Sequence, residues 1–160
     1  MSLLEQLSDS ALSEWLSLSM LGFPTLIALH SVGMAVVVGL SLVISLRLFG
    51  FVQDVSADRL PQLLKVAAFG FALNFITGVA LFITRGDEYI VSAMFLLKMA
   101  LVLASAAILF WLGLTSQRGV LIASANGETS VVRRLSLLAT LGWFAAVVAG
   151  RLIAYVGDLY

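Results

Sequence analysis

The stretch that decides the fold is residues 24–46, PTLIALHSVGMAVVVGLSLVISL, whose only ionisable side chain is His30. A bilayer core about 30 Å thick needs about 20 apolar residues of α-helix, which rises about 1.5 Å per residue. Pro24 suits the first turn of a helix, where its missing N–H leaves no partner unsatisfied, and Arg47 ends the apolar run. The stretch therefore predicts a transmembrane helix over residues 24–47.

Three further apolar runs of similar length follow, and they predict helices over about 62–84, 89–114 and 133–157. The composition agrees, since 61% of the 160 residues are hydrophobic and 11% are charged. Soluble domains average about 45–50% apolar and about 25% charged residues. We therefore predict an all-α integral membrane protein, with residues 1–160 forming one transmembrane domain built as a four-helix bundle.

The segment before the first span has its own pattern. Over residues 3–19 apolar side chains recur at helical spacing, opposite Glu5, Asp9 and Glu14. This predicts an amphipathic helix, which either lies on the membrane surface or packs across the mouth of the bundle.

Basic residues in the loops predict the orientation, because cytoplasmic loops are enriched in Lys and Arg. The loops after the first and third helices carry six: Arg47, Arg59, Lys65, Arg118, Arg133 and Arg134. The loop between the second and third helices holds only Arg85, beside Asp87 and Glu88. We therefore expect both termini on the non-cytoplasmic side. Asp87 and Glu88 are expected to cap the N-terminus of the third helix.

Three ionisable side chains fall inside predicted spans, at similar depths in the outer half: His30, Lys98 and Arg151. Such residues are costly in lipid and mark candidate functional sites. Two cations beside an imidazole suit haem propionates, a quinone head group or a small carboxylate. Alternatively, the cations extend outward to acids or lipid head groups at the membrane edge. Three roles stay open for His30, in decreasing order of preference: an interhelical hydrogen bond, ligation of a metal or cofactor, and proton relay.

Small and polar neighbours complete the candidate cofactor-binding site. Gly33 lies one turn from His30, where it either leaves space for a flat group such as a porphyrin edge or allows close helix packing. Asn74, near the middle of the second helix, either hydrogen-bonds to another helix or lines a ligand cavity. Tyr155 follows Arg151 by one turn.

Other chemistry is restricted by composition. The chain has no cysteine, which excludes thiolate metal sites, and its net charge of zero argues against nucleic acid as a partner. Copper is a third cofactor candidate, behind haem b and quinone, with His30 as the metal ligand beside Met20, Met34, Met94 and Met99. No HExxH, GxSxG or phosphate-binding loop occurs, so catalysis by the isolated chain is not favoured.

Short motifs along nearly the whole chain carry a family resemblance. They are Glu14-Trp15-Leu16, Phe23-Pro24 with Leu29-His30, Leu46-Arg47-Leu48, Gly70-Phe71-Ala72-Leu73, Thr77-Gly78, Phe95-Leu96-Leu97-Lys98 and Gly150-Arg151-Leu152-Ile153-Ala154-Tyr155. In this order they resemble an uncharacterised family of small four-helix bacterial inner-membrane proteins. That family is distantly similar to the membrane domain of copper-resistance protein D and, through it, to small b-type cytochromes. The resemblance implies that His30, Lys98, Arg151 and Tyr155 belong to the family pattern.

Three functions follow from these observations. We favour a cofactor-binding subunit for electron transfer or membrane anchoring, with haem b or a quinone at His30, Lys98 and Arg151. Transport of copper or a small solute is the second, and a non-catalytic assembly subunit of a larger membrane complex is the third. Membrane lipid is an expected partner in each case, together with a homo-oligomer or a larger complex.

Overall fold

The computed structural model describes the backbone of residues 19, 21–90, 92–116, 119–126 and 130–156, with side chains described except at 84–90 and 154–156. The helix predicted over residues 3–19 lies outside the described residues, apart from Ser19. The described helices are α1 (Gly22–Leu48), α2 (Leu60–Ile90), α3 (Ala93–Ser116), α4 (Val120–Ala125) and α5 (Ser130–Val156), with a 3₁₀ turn over Ala57–Arg59 before α2.

Four of these segments are long and apolar enough to cross a membrane. They are Gly22–Leu48, Ala57–Ile83, Ala93–Ser116 and Ser130–Ile153. The described part of the chain contains no strand. The prediction of an all-α four-helix membrane bundle is therefore confirmed, and the protein is a multi-pass membrane protein.

The connection between α2 and α3 differs from the prediction. The backbone of α2 continues to Ile90, so Asp87 and Glu88 lie in its last turns and the prediction that they cap the third helix is wrong. This stretch contains no proline, which would break the helix. The third helix begins instead at Ala93, where the Ser92 hydroxyl accepts a hydrogen bond from the Phe95 N–H at 3.4 Å.

The helices pack as two close pairs, α1 with α2 and α3 with α5, joined by looser seams between α1 and α5 and between α2 and α3. Hydroxyl groups bridge the α1–α5 seam. Thr140 Oγ1 donates to the Ser41 carbonyl at 3.1 Å, and Ser136 Oγ lies 3.5 Å from Ser45 Oγ. Polar residues are common contacts between membrane helices, because lipid supplies no hydrophobic force that drives helices together.

The apolar core fills the half of the bundle that contains Arg47, which we call the Arg47 end; the opposite end we call the His30 end. At the centre of the bundle Trp143 is fully buried, and its ring lies 5.8 Å from that of Phe71. Large apolar side chains also point outward: Phe69 is 71% exposed and Phe110 is 70% exposed. Such a surface would aggregate in water but suits contact with acyl chains.

Arg47 links α1 to two connecting segments at its end of the bundle. Its Nε donates to the Val55 carbonyl at 2.6 Å, and its NH1 lies 3.5 Å from the Ala125 carbonyl at the end of α4. Replacing Arg47 with methionine keeps much of the side-chain length but removes both donors. We expect about 1 kcal/mol of local stability to be lost, and protease cleavage within residues 49–56 to become about fivefold faster.

Arg59→Met provides the matched control for this prediction. Arg59 is exposed and makes no side-chain hydrogen bond within the described residues. Its replacement should leave the cleavage rate unchanged in a limited-proteolysis time course on detergent-solubilised protein. Equal cleavage rates for the Arg47 variant and the wild type would contradict this linking role of Arg47.

Candidate binding site between two cavities

His30 reaches from α1 to α2 through one ring nitrogen. Its Nδ1 lies 3.0 Å from the Asn74 carbonyl oxygen and 3.0 Å from Thr77 Oγ1. A carbonyl only accepts, so Nδ1 carries the proton. The Thr77 hydroxyl proton goes to the Leu73 carbonyl, 2.7 Å away, which leaves Oγ1 able to accept from His30. In the neutral imidazole the lone pair is therefore on Nε2.

Asn74 also donates a hydrogen bond back to His30. It is buried, and its Nδ2 donates to the His30 carbonyl at 2.9 Å. The same nitrogen lies 3.4 Å from each ring nitrogen, which places it over the face of the imidazole. The two residues thus link α1 to α2 reciprocally and hold the ring in one orientation.

Glycines allow this close approach. A Cβ on Gly33 would lie 2.7 Å from the Asn74 backbone nitrogen and 2.8 Å from the Gly70 carbonyl oxygen. The space beside Gly33 is therefore filled by α2, which agrees with the close-packing alternative and leaves no room there for a porphyrin edge. A Cβ on Gly78 would lie 3.2 Å from His30 Cε1, so this glycine makes room for the imidazole.

Lys98 enters the site from α3, diagonally across the bundle from α1. It is half-buried and lies along α5, where a Cβ on Gly150 would be 3.4 Å from both its Cε and its Nζ. Within the described residues Lys98 has no hydrogen bond or ion pair.

Two cavities flank His30 and Lys98, and both residues line both cavities. The first, which we call the aromatic cavity, has about 270 Å³ and lies in the α2–α3 seam. Its wall includes Phe71, Asn74, Phe75, Phe82, Phe95 and Met99. The second, which we call the basic cavity, has about 560 Å³ and lies between α1 and α5. Its wall includes Ile27, Met34, Phe144, Val147, Gly150 and Arg151. His30 and Lys98 therefore form a polar partition between two seams.

The sequence-predicted site residues are partly brought together. His30, Lys98 and Arg151 line the basic cavity, and Asn74 joins His30 and Lys98 at the aromatic cavity. Arg151 is exposed at the edge of its cavity. Tyr155 is part of helix α5, and its side chain is not among those described.

Two of the candidate methionine ligands for copper line different cavities. Met34 lines the basic cavity and Met99 the aromatic cavity, on opposite sides of the partition, and Met20 is outside the described residues. Within the described ranges, no group of three or more His, Cys, Asp or Glu side chains could hold a metal ion.

Sequence reasoning missed the phenylalanine wall. Phe82 and Phe95 stack across the seam with ring centroids 5.6 Å apart and planes 18° apart. Phenylalanine is unremarkable in a membrane helix, so its presence alone indicates nothing. The available signal was spacing, because Phe71, Phe75 and Phe82 recur on the face of the second helix that also contains Gly78.

Comparison with known families adds one match. A family model described as "Zinc-ribbon containing domain" matches residues 58–140, which is just over half of the chain. The chain belongs to this zinc-ribbon-containing-domain family. No curated protein and no solved structure matches the chain.

Zinc itself does not fit the residues of this family member. A zinc ribbon holds its ion with four cysteine or histidine ligands. The matched segment contains neither residue type, since the chain has no cysteine and its one histidine is His30. The segment instead corresponds to α2, α3, α4 and the first part of α5, so membership of the zinc-ribbon-containing-domain family assigns no zinc site here.

Proposed function

We propose that the protein is a quinone-binding membrane subunit whose aromatic cavity takes the quinone ring. The observation that carries this proposal is the meeting of His30, Asn74 and Lys98 with four phenylalanines around one cavity of about 270 Å³. A cavity of about 150 Å³ lined by apolar side chains binds benzene. The larger volume here suits one substituted ring.

The polar groups match the two forms of a quinone. The Lys98 ammonium can only donate, which suits a quinone carbonyl oxygen. His30 Nε2 carries a lone pair, which suits the hydroxyl of the reduced form. Because Nδ1 is held by the Asn74 carbonyl and Thr77, the ring keeps this orientation. The phenylalanine rings offer stacking surfaces on the apolar side.

Haem b is the second candidate, and one observation favours it. A histidine that ligates a metal usually donates its other ring N–H to a carbonyl or carboxylate, as His30 Nδ1 does to Asn74. However, the chain has a single histidine, so a haem with two histidine ligands would need a second copy. A porphyrin is also much wider than the one ring that the aromatic cavity suits.

Solute transport is less well supported than ligand binding. Between the partition and the Arg47 end, the described interior is closed by the fully or nearly fully buried Val37, Ile44, Leu112 and Trp143. A permeation path needs polar groups along its whole length. An assembly subunit without a ligand is the role left if no quinone binds.

We also propose a cellular location and orientation for the protein. The excess of Lys and Arg in two of the three loops supports a bacterial inner-membrane protein with both termini on the non-cytoplasmic side. The site then lies in the outer half of the bilayer. We assign the protein a membrane-anchor or electron-transfer role, either as a homo-oligomer or as a subunit of a larger membrane complex.

Quinone binding tests this proposal directly. Protein purified in mild detergent is titrated with a short-chain quinone, and binding is followed by quenching of tryptophan fluorescence. We expect Phe75→Ala to weaken binding about two- to tenfold, because a ring contact contributes about 0.5–1.5 kcal/mol. Phe69→Ala is the matched control, since Phe69 is on the same helix and 71% exposed.

Two results would contradict the quinone proposal. Equal binding by the Phe75 and Phe69 variants would place the quinone elsewhere, and an absence of saturable binding would leave the assembly role. A visible spectrum of the same preparation checks the second candidate, because a Soret band would identify haem.

A further inference from the structure

The basic cavity presents two cationic side chains, Lys98 and Arg151, within one wall. Within the described residues neither forms a salt bridge, and the side chains described around this cavity include no carboxylate. A cation that is partly removed from water is costly unless an opposite charge or hydrogen-bond acceptor meets it. The cavity therefore has the electrostatic character of an anion site.

The rest of the cavity wall is apolar. Ile27, Val38, Phe144 and Val147 line it alongside the cations. Val38 is eight residues from His30 along α1, so the wall extends about 12 Å from the partition towards the bundle centre. Phe144 is 45% exposed and Ile27 is 42% exposed, so this wall opens sideways towards the surrounding lipid. A ligand that fits has an anionic head and a hydrocarbon tail.

We propose that the basic cavity binds an anionic phospholipid, with the head-group phosphate at Lys98 and Arg151 and an acyl chain along the apolar wall. Arginine forms paired hydrogen bonds to phosphate oxygens, and the lysine ammonium adds a second charge deeper in the cavity. Gly150 leaves room for the lysine, because a side chain there would meet Cε and Nζ at 3.4 Å. This site shares Lys98 with the quinone proposal, but of the two cavities Arg151 lines only the basic one and Phe75 only the aromatic one.

Lipid titration tests this proposal. Delipidated wild-type protein in a neutral detergent is titrated with phosphatidylglycerol, phosphatidylcholine, oleate or inorganic phosphate, and the shift in thermal unfolding is recorded. We expect phosphatidylglycerol to bind at least tenfold more tightly than phosphatidylcholine, and inorganic phosphate to give no shift at the same concentration. Oleate binding as tightly as phosphatidylglycerol would overturn the choice of a phosphate head group.

Arg151→Gln should reduce the affinity for phosphatidylglycerol about tenfold, because a charge-assisted hydrogen bond is lost. Arg151→Lys should restore part of it. Lys65→Gln is the matched control, since Lys65 is exposed and lies on α2, outside the basic cavity. Arg151 is exposed, so its replacement should leave the helix content measured by circular dichroism unchanged.

Equal lipid affinities for the wild type and Arg151→Gln would overturn the proposal, as would equal losses in the Arg151 and Lys65 variants. Quinone titration of the same proteins separates the two sites. Arg151→Gln should leave quinone affinity within twofold of the wild type, and Phe75→Ala should leave the preference for phosphatidylglycerol intact. Loss of lipid affinity alone in Arg151→Gln and of quinone affinity alone in Phe75→Ala would support two sites, whereas loss of both ligands in either variant would contradict their separation.

Discussion

Gly33→Ala is expected to destabilise the bundle by about 1–3 kcal/mol, the usual cost of overfilling a packed site. The added Cβ would lie 2.7 Å from the Asn74 backbone nitrogen and 2.8 Å from the Gly70 carbonyl oxygen. Backbone atoms in the middle of a helix cannot rotate away, so α1 and α2 must separate. That separation would also lengthen the His30 hydrogen bonds to α2. Unfolding by a denaturing detergent, followed by circular dichroism, measures the loss.

Gly39→Ala is the matched control on the same helix. A Cβ there meets no atom within 4 Å, so only the intrinsic preference of alanine for helix acts, which favours the variant by up to about 1 kcal/mol. The two substitutions should therefore move stability in opposite directions. A Gly33 variant as stable as the Gly39 variant would show that α1 and α2 are less closely packed than described.

The spans were predictable because a bilayer demands length and hydrophobicity, which a sequence displays directly. The helix ends were less predictable. Asp87 and Glu88 looked like a boundary because they are charged, but a helix can continue beyond the apolar core into the membrane interface. The backbone of α2 does so to Ile90. Ser92, whose hydroxyl does accept from the first turn of α3, was the better signal.

The polar members of the site were predictable for a related reason, since His30, Lys98 and Arg151 stand out against an apolar background. The sequence could not show which neighbouring helix each helix face contacts. Helical periodicity puts Gly33 on the face of His30, but only the packing of α1 against α2 shows that the backbone at Asn74 occupies the space beside it. The division into two cavities also depends on the packing, because it is made by side chains of the diagonally opposite helices α1 and α3.

His30→Phe is expected to abolish most quinone binding while leaving the bundle folded. Phenylalanine keeps an aromatic ring, somewhat larger than imidazole, but has neither Nδ1 nor Nε2. An interhelical hydrogen bond in a membrane contributes about 0.6 kcal/mol on average and up to about 1.7 kcal/mol, so the stability loss is modest. Loss of a buried hydrogen bond to the ligand costs about 1–3 kcal/mol, or about tenfold or more in affinity.

Thr77→Val separates the structural role of His30 from its binding role. The substitution removes the acceptor 3.0 Å from Nδ1 but leaves the Asn74 carbonyl to hold the ring and Nε2 unchanged. If His30 only links α1 to α2, both variants should lose stability and neither should lose quinone affinity beyond twofold. If Nε2 contacts the quinone, only His30→Phe should lose affinity about tenfold. Because His30 is the only imidazole in the chain, no second histidine can replace it in this comparison.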